Sequence, residues 1–141
     1  MNIEYKILSM QVNRSNITPE CYEKEESNMQ IANSFSFGVS VDNCLLICNH
    51  SLTLKSSEKV FAEVELQTIF SISEHSFNGM KEEGKIKIPD GFLVQCGSIS
   101  YGSLRGIVLQ DAKKAGLDNI IIPPLYINNI IKEPMIIDLE K

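Results

Sequence analysis

From Ser34 to Ser73 the chain alternates between apolar and polar residues. Phe35, Phe37, Val39 and Val41 interleave with Ser34, Ser36, Gly38 and Ser40. That period of two is the signature of a strand with one buried face. Asp42-Asn43 is a turn signal. The following stretch, Cys44 to Ser56, reads as another strand with Leu46, Cys48, His50, Leu52 and Leu54 on one face. Ser56-Ser57-Glu58 closes a hairpin, and Val60 to Ser73 continues as a strand. On it Ala62, Val64, Leu66 and Phe70 share a face opposite Glu63, Glu65 and Gln67. Connections this short demand antiparallel pairing. Residues 3–12 form a first strand, in which Tyr5 and Ile7 alternate with Glu4 and Lys6 before the pattern blurs. The pattern therefore predicts a four-stranded antiparallel sheet with one wet face and one covered face.

The cover is a single long helix from Ile88 to Gly116. Leu93, Cys96, Tyr101, Leu104, Val108 and Ala112 recur at helical spacing. Asp90 is placed to cap the start, and Gly116 stops the helix after Lys113 and Lys114. Its interior is poor in helix formers. Gly97, Gly102 and Gly106 each cost about 1 kcal/mol against alanine, so tertiary contacts must hold the helix. Ser98, Gly102 and Gly106 fall at i, i+4 and i+8 and leave one face nearly bare backbone. Such a face admits close approach either by the protein's own sheet or by a helix of a second subunit.

The remaining segments connect. Residues 13–33 are rich in Asn, Ser and Glu, contain Pro19 and a charge run at 23–27, and read as a long loop or frayed edge. Residues 74–89 form a polar loop that carries Phe77 and Met80. After the helix, Pro123-Pro124 opens a short helix over Leu125 to Glu133, with Leu125, Ile127, Ile130 and Ile131 on its apolar side. The tail from Met135 is either a last strand or a docked extension. The expected fold class is α+β over residues 1–141 as a single domain: sheet, long helix, short lid helix.

Composition narrows the function. A formal net charge of -5, with only 13 Lys and Arg, argues against nucleic acid as a partner. No apolar run approaches the ~20 residues that span a bilayer. The N-terminus carries Glu4 and lacks the apolar stretch of a secretory signal, so a cytoplasmic protein without membrane insertion is expected. Cys44 and Cys48 would lie roughly 13 Å apart along a strand, too far for a disulfide or a shared metal. Cys21, Cys44, Cys48 and Cys96 then read as reduced thiols. The two histidines, His50 and His75, belong to no nucleophile motif, and His50 on an apolar strand face reads as a core residue. The glycines of 97–106 match neither phosphate-binding fingerprint. No catalytic, cofactor-binding or metal-ligating residue is expected, and the chain does not read as an enzyme.

Two stretches carry a resemblance. Residues 60–73, VFAEVELQTIFSIS, resemble the last sheet strand of the SecB family of protein-export chaperones and its toxin–antitoxin-associated relatives, with Glu63, Val64, Ile69 and Phe70 on the family pattern. Residues 88–131 resemble the family's helix, the turn at Gly116, the Ile-Pro-Pro segment at 122–124 and the lid helix. The chain departs from the export type at Glu65-Leu66-Gln67-Thr68, where that type has Gln-Gln-Gly-Gly, and it lacks the extended acidic tail. These departures favour a specialised or stand-alone SecB-like protein.

The resemblance implies an ATP-independent holdase for unfolded polypeptides or preproteins, assembled as a tetramer, a dimer of dimers. Its oligomer contact would run through Ser98, Gly102 and Gly106, and its client groove would be lined by Phe77, Met80, Leu125, Tyr126 and Ile130. Glu63 and Glu65 would mark a face for the SecA motor. The alternative within the fold is an interaction protein dedicated to one partner such as an antitoxin. A hotdog-type enzyme fits less well, because its long helix follows the first strand and here four candidate strands precede the helix.

Overall fold

The computed structural model describes residues 2–23 and 29–139. Four long strands, β1 (Tyr5–Ile17), β2 (Met29–Ser40), β3 (Leu45–Ser56) and β4 (Lys59–Ile72), form one antiparallel sheet in the order β1-β4-β3-β2. The β3–β4 turn places both Ser57 and Glu58 at positive φ, so the two strands join through a tight hairpin. Helix α2 (Asp90–Lys114) lies on one face, where Leu104, Val108 and Ala112 pack into a core with Leu52, Leu54, Val64 and Leu66. The expected alternation holds on β4: Val64 and Leu66 are buried while Glu63 and Glu65 face outward.

The first strand is longer than its pattern suggests. Register shifts between Ile7 and Ser9 and between Val12 and Arg14 insert extra residues, so Ile7, Met10 and Val12 pair opposite Phe70, Thr68 and Leu66. Two bulges thus break the period of two, which is why the alternation fades after Ile7. Much of the stretch expected as a loop over 13–33 is strand: β1 runs to Ile17 and β2 starts at Met29, and among the described residues between them Pro19–Cys21 forms a 3-10 turn. The charge run at 23–27 lies almost entirely outside the described residues.

The connection at 74–89 is also ordered. Ser73 Oγ accepts the Ser76 backbone N–H at 3.2 Å and caps a short helix, α1 (Glu74–Gly79). Phe77 projects from α1 into the core at 0% exposure, and Met80 follows at 3%. Strands β5 (Lys81–Glu82) and β6 (Lys85–Ile88) turn back through Glu83 and Gly84, both at positive φ. The tail forms β7 (Met135–Asp138), which pairs with β6 and completes a small second sheet.

Both ends of α2 are well defined. Asp90 is not the N-cap. Extended Pro89 takes that position, its carbonyl accepting the N–H groups of Phe92 and Leu93 at 3.1 Å, and Asp90 starts the helix with its carboxylate at the positive end of the dipole. At the other end Gly116 has φ +94 and Leu117 N–H bonds to Ala112 C=O at 2.8 Å, a Schellman closure that needs glycine. The lid helix over Leu125–Glu133 does not form. Only a 3-10 turn, Ile127–Asn129, is present. β-Branched isoleucines and two asparagines between Pro124 and Pro134 are too poor and too short a segment to nucleate an α-helix.

Candidate functional site

An open apolar groove of about 570 Å³ runs between the edge strand β2, the first turns of α2 and the segment that follows the 3-10 turn. Phe35 and Phe37 of β2, Leu93 of α2, and Ile130, Ile131 and Met135 form its walls, with Lys132 and Glu133 among the lining residues. Each wall has a local cause. Phe35 and Phe37 sit on the helix-facing side of β2, opposite His50 and Cys48 of β3, and among the described residues β2 is the edge of the sheet. They are therefore only half covered.

The Ile130–Met135 wall is held at both ends. Tyr101 Oη donates to Pro123 C=O at 2.7 Å, and Arg105 Nε donates to Ile122 C=O at 2.8 Å, strapping the post-helix segment onto α2. Ile127 is buried at 2%, and Met135 enters the β6–β7 ladder opposite Ile88. Gly97 makes the close approach between segment and helix. A Cβ there would lie 3.0 Å from Ile127 Cγ2 and Ile131 Cδ1, and 3.5 Å from Phe35 Cε1. This is the interior glycine whose absence of side chain is used.

Behind the groove lies a polar cluster in the core. His50 is 1% exposed. Its Nε2 is 2.8 Å from Asn33 Oδ1 and its Nδ1 is 3.2 Å from Ser100 Oγ. Asn33 Oδ1 only accepts, so Nε2 carries the proton and Nδ1 accepts from Ser100. Burial pulls the His50 pKa down from 6.5 to about 4, keeping the ring neutral. The Phe35 ring stacks on it at 4.1 Å and 12°. Burial also pushes the Cys48 thiol up to about 12, against the smaller, opposing effect of a side-chain hydrogen bond with Ser100. Burial, reinforced by Cys48, holds Cys96 far above the usual thiol range. All four cysteines are free.

The sequence-based groove residues separate. Phe77 and Met80 do not face the groove: they are core side chains packed with Phe70, Ile86, Ile88 and Phe92, because Ser73 turns the supposed loop into a capped helix. Ile130 lines the groove and is 41% exposed. Leu125 and Tyr126 are exposed, Tyr126 at 77%, but they lie outside its walls. Phe35, Phe37 and Met135 were missed, although the Phe35–Phe37 alternation on an outer strand was the available signal.

Ser98, Gly102 and Gly106 form an exposed strip of α2 pointing away from the sheet. A Cβ at Gly102 or Gly106 would meet nothing within 4 Å, which excludes a fit of these glycines against the protein's own sheet. Leu109, Ile121, Ile7, Met10 and Val12 are also exposed by 40% or more. Glu63 and Glu65 stand on the opposite, outer face, where Arg14 of β1 approaches them at 3.5 Å and 3.9 Å.

No protein-family model matches the sequence, and no curated protein does. Among solved structures the chain is similar to the Mycobacterium tuberculosis Rv1957 SecB-like chaperone in complex with a ChAD peptide from the Rv1956 HigA1 antitoxin. The match has a TM-score of 0.57 and spans 86% of this chain and 90% of that one, at 12% identity. The fold is SecB-like. The four-stranded sheet and the long helix are the elements this likeness rests on. Among the described residues, no helix of this SecB-like fold is long and apolar enough to cross a membrane.

Proposed function

We propose that the chain is an ATP-independent chaperone that holds extended, apolar segments of unfolded polypeptide in the groove between β2 and the Ile130–Met135 segment. The observation that carries this reading is the groove itself: apolar side chains of Phe35, Phe37, Leu93, Ile130, Ile131 and Met135 stand open beside polar Lys132 and Glu133. Binding by such a surface comes from many contacts of about 1 kcal/mol, spread over a flexible client. Methionine suits variable partners because its unbranched thioether chain adapts to different side chains, and phenylalanine adds a large apolar face.

Phe37→Ser with Ile130→Ser tests the site. Both side chains are partly exposed, so the fold survives, while client affinity, read as suppression of aggregation, falls roughly thirtyfold, as two lost contacts of about 1 kcal/mol each require. Unchanged suppression by the folded double variant would move client binding away from this groove.

A dedicated interaction with one peptide is the second reading. It is favoured by the antitoxin peptide that the similar mycobacterial chaperone holds. Competition separates the two readings: a general holdase loses a bound peptide to any unfolded client in excess, whereas a dedicated partner is retained. Service in protein export in the cytoplasm is the export-type form of the first reading, with Glu63 and Glu65 as a SecA-facing surface.

The chain is also proposed to assemble through α2, as a tetramer built from two dimers. Support comes from the exposed strip of Ser98, Gly102 and Gly106, with the exposed side chains of Leu109 and Ile121 next to the two glycines. Leucine at Gly102 meets open space within one chain, so Gly102→Leu leaves the monomer fold intact and splits the assembly into smaller species by light scattering. An unaltered oligomer mass would exclude this face as the contact.

A further inference from the structure

We propose that His50 is a positioning residue for the groove: clamped between Asn33 on β2 and Ser100 on α2, its ring holds the Phe35 ring in the orientation that forms the groove's inner wall. This rests on the groove being the binding site. Phe35 belongs to an edge strand and is only partly covered, so burial alone does not fix its ring. The directly cross-strand partner does. His50 lies opposite Phe35 in the β2–β3 register, with ring centroids 4.1 Å apart and planes 12° from parallel.

A stacked partner orients a ring only if it is itself held. Both His50 nitrogens lie in the ring plane, and their partners come from different elements, Asn33 at 2.8 Å and Ser100 at 3.2 Å. Rotation about the Cβ–Cγ bond would break both bonds inside the core and leave buried polar atoms unpaired. Tyr101 closes a further side at 5.9 Å. On the helix side, bare Gly97 leaves room for the Phe35 edge and for Ile127 and Ile131, and little more. The Phe35 ring is thus wedged between a hydrogen-bonded imidazole and the α2 backbone, with Ile131 beside it in the groove wall. A leucine at position 50 could fill the volume. It would neither stack nor satisfy Asn33 and Ser100.

The test reads ring orientation and binding separately. The full-length protein carries 4-fluorophenylalanine, with the Phe35 resonance assigned through Phe35→Leu. The probe is a fluorescein-labelled peptide of alternating Leu and Phe between terminal lysines. His50→Leu is expected to shift and broaden the Phe35 fluorine resonance and to weaken probe binding roughly tenfold, the size of one lost oriented aromatic contact. His50→Gln, which can still bond Asn33 or Ser100, should recover part of both effects. If His50→Leu does not fold, Ser100→Ala removes one of the two clamp bonds and is read in the same way. An unchanged Phe35 resonance overturns the clamp. A changed resonance with unchanged affinity overturns its role in binding. Failure of the unmodified protein to bind the probe overturns the groove reading, and with it the role of His50 in binding, while the resonance still reports whether His50 sets the ring.

Discussion

Phe77→Ala is expected to lower the unfolding free energy by about 3–5 kcal/mol, the range for removing a fully buried phenylalanine. Phe77 is at 0% exposure and packs among Phe70, Ile72, Ile86 and Phe92 in the cluster that joins α1, the small sheet and the start of α2. Met80 in the same cluster can refill only part of a hole of that size at the meeting point of three elements. Tyr126→Ser is the contrasting case. At 77% exposure it should change stability by no more than about 0.5 kcal/mol. Urea unfolding of the two variants checks both values, and client binding per folded molecule should be unaffected in Phe77→Ala. Wild-type stability in that variant would mean that α1 does not dock as described.

Acidification from neutral pH to pH 4 is expected to cost the folded protein about 3 kcal/mol through His50. The cause is burial, which lowers its pKa from 6.5 to about 4. Above 6.5 neither the folded nor the unfolded chain protonates this ring, and stability is independent of it. Between about 4 and 6.5 the unfolded chain takes up the proton and the folded chain does not, so stability rises with pH across this window. Thermal unfolding as a function of pH should therefore show a slope that His50→Gln removes in part. Equal slopes in the two proteins would show that His50 is not held neutral by the fold. The same protonation would put a donor where Nδ1 now accepts from Ser100, so the Asn33–His50–Ser100 clamp belongs to the neutral ring.

The sheet was legible because its information is local. On β3 and β4 the alternation of Leu46, Cys48, His50, Leu52 and Leu54, and of Ala62, Val64 and Leu66, reflects a sheet with one face under a helix. The helix and its stop at Gly116 were legible for the same reason, since periodicity and a positive-φ glycine are properties of a few neighbouring residues. His50 read correctly as a core histidine, but Asn33 and Ser100, 17 and 50 residues away in sequence, could not be named as its partners.

Only the tertiary structure decided what lies where long-range pairing overrides local pattern. β1 pairs with β4, not with its sequence neighbour, and two bulges hide its helix-facing residues Ile7, Met10 and Val12 from any count of period two. Phe77 and Met80 looked like exposed apolar residues in a loop because the packing that buries them comes from β6, β4 and α2. Leu125 to Ile131 carried a helical pattern, yet the straps from Tyr101 and Arg105 and the pairing of β7 leave that segment as one 3-10 turn beside a groove. The groove therefore belongs to no single stretch of sequence. It exists because an edge strand, a glycine in a helix and a tethered segment meet, and each of those contacts is set by distance in space.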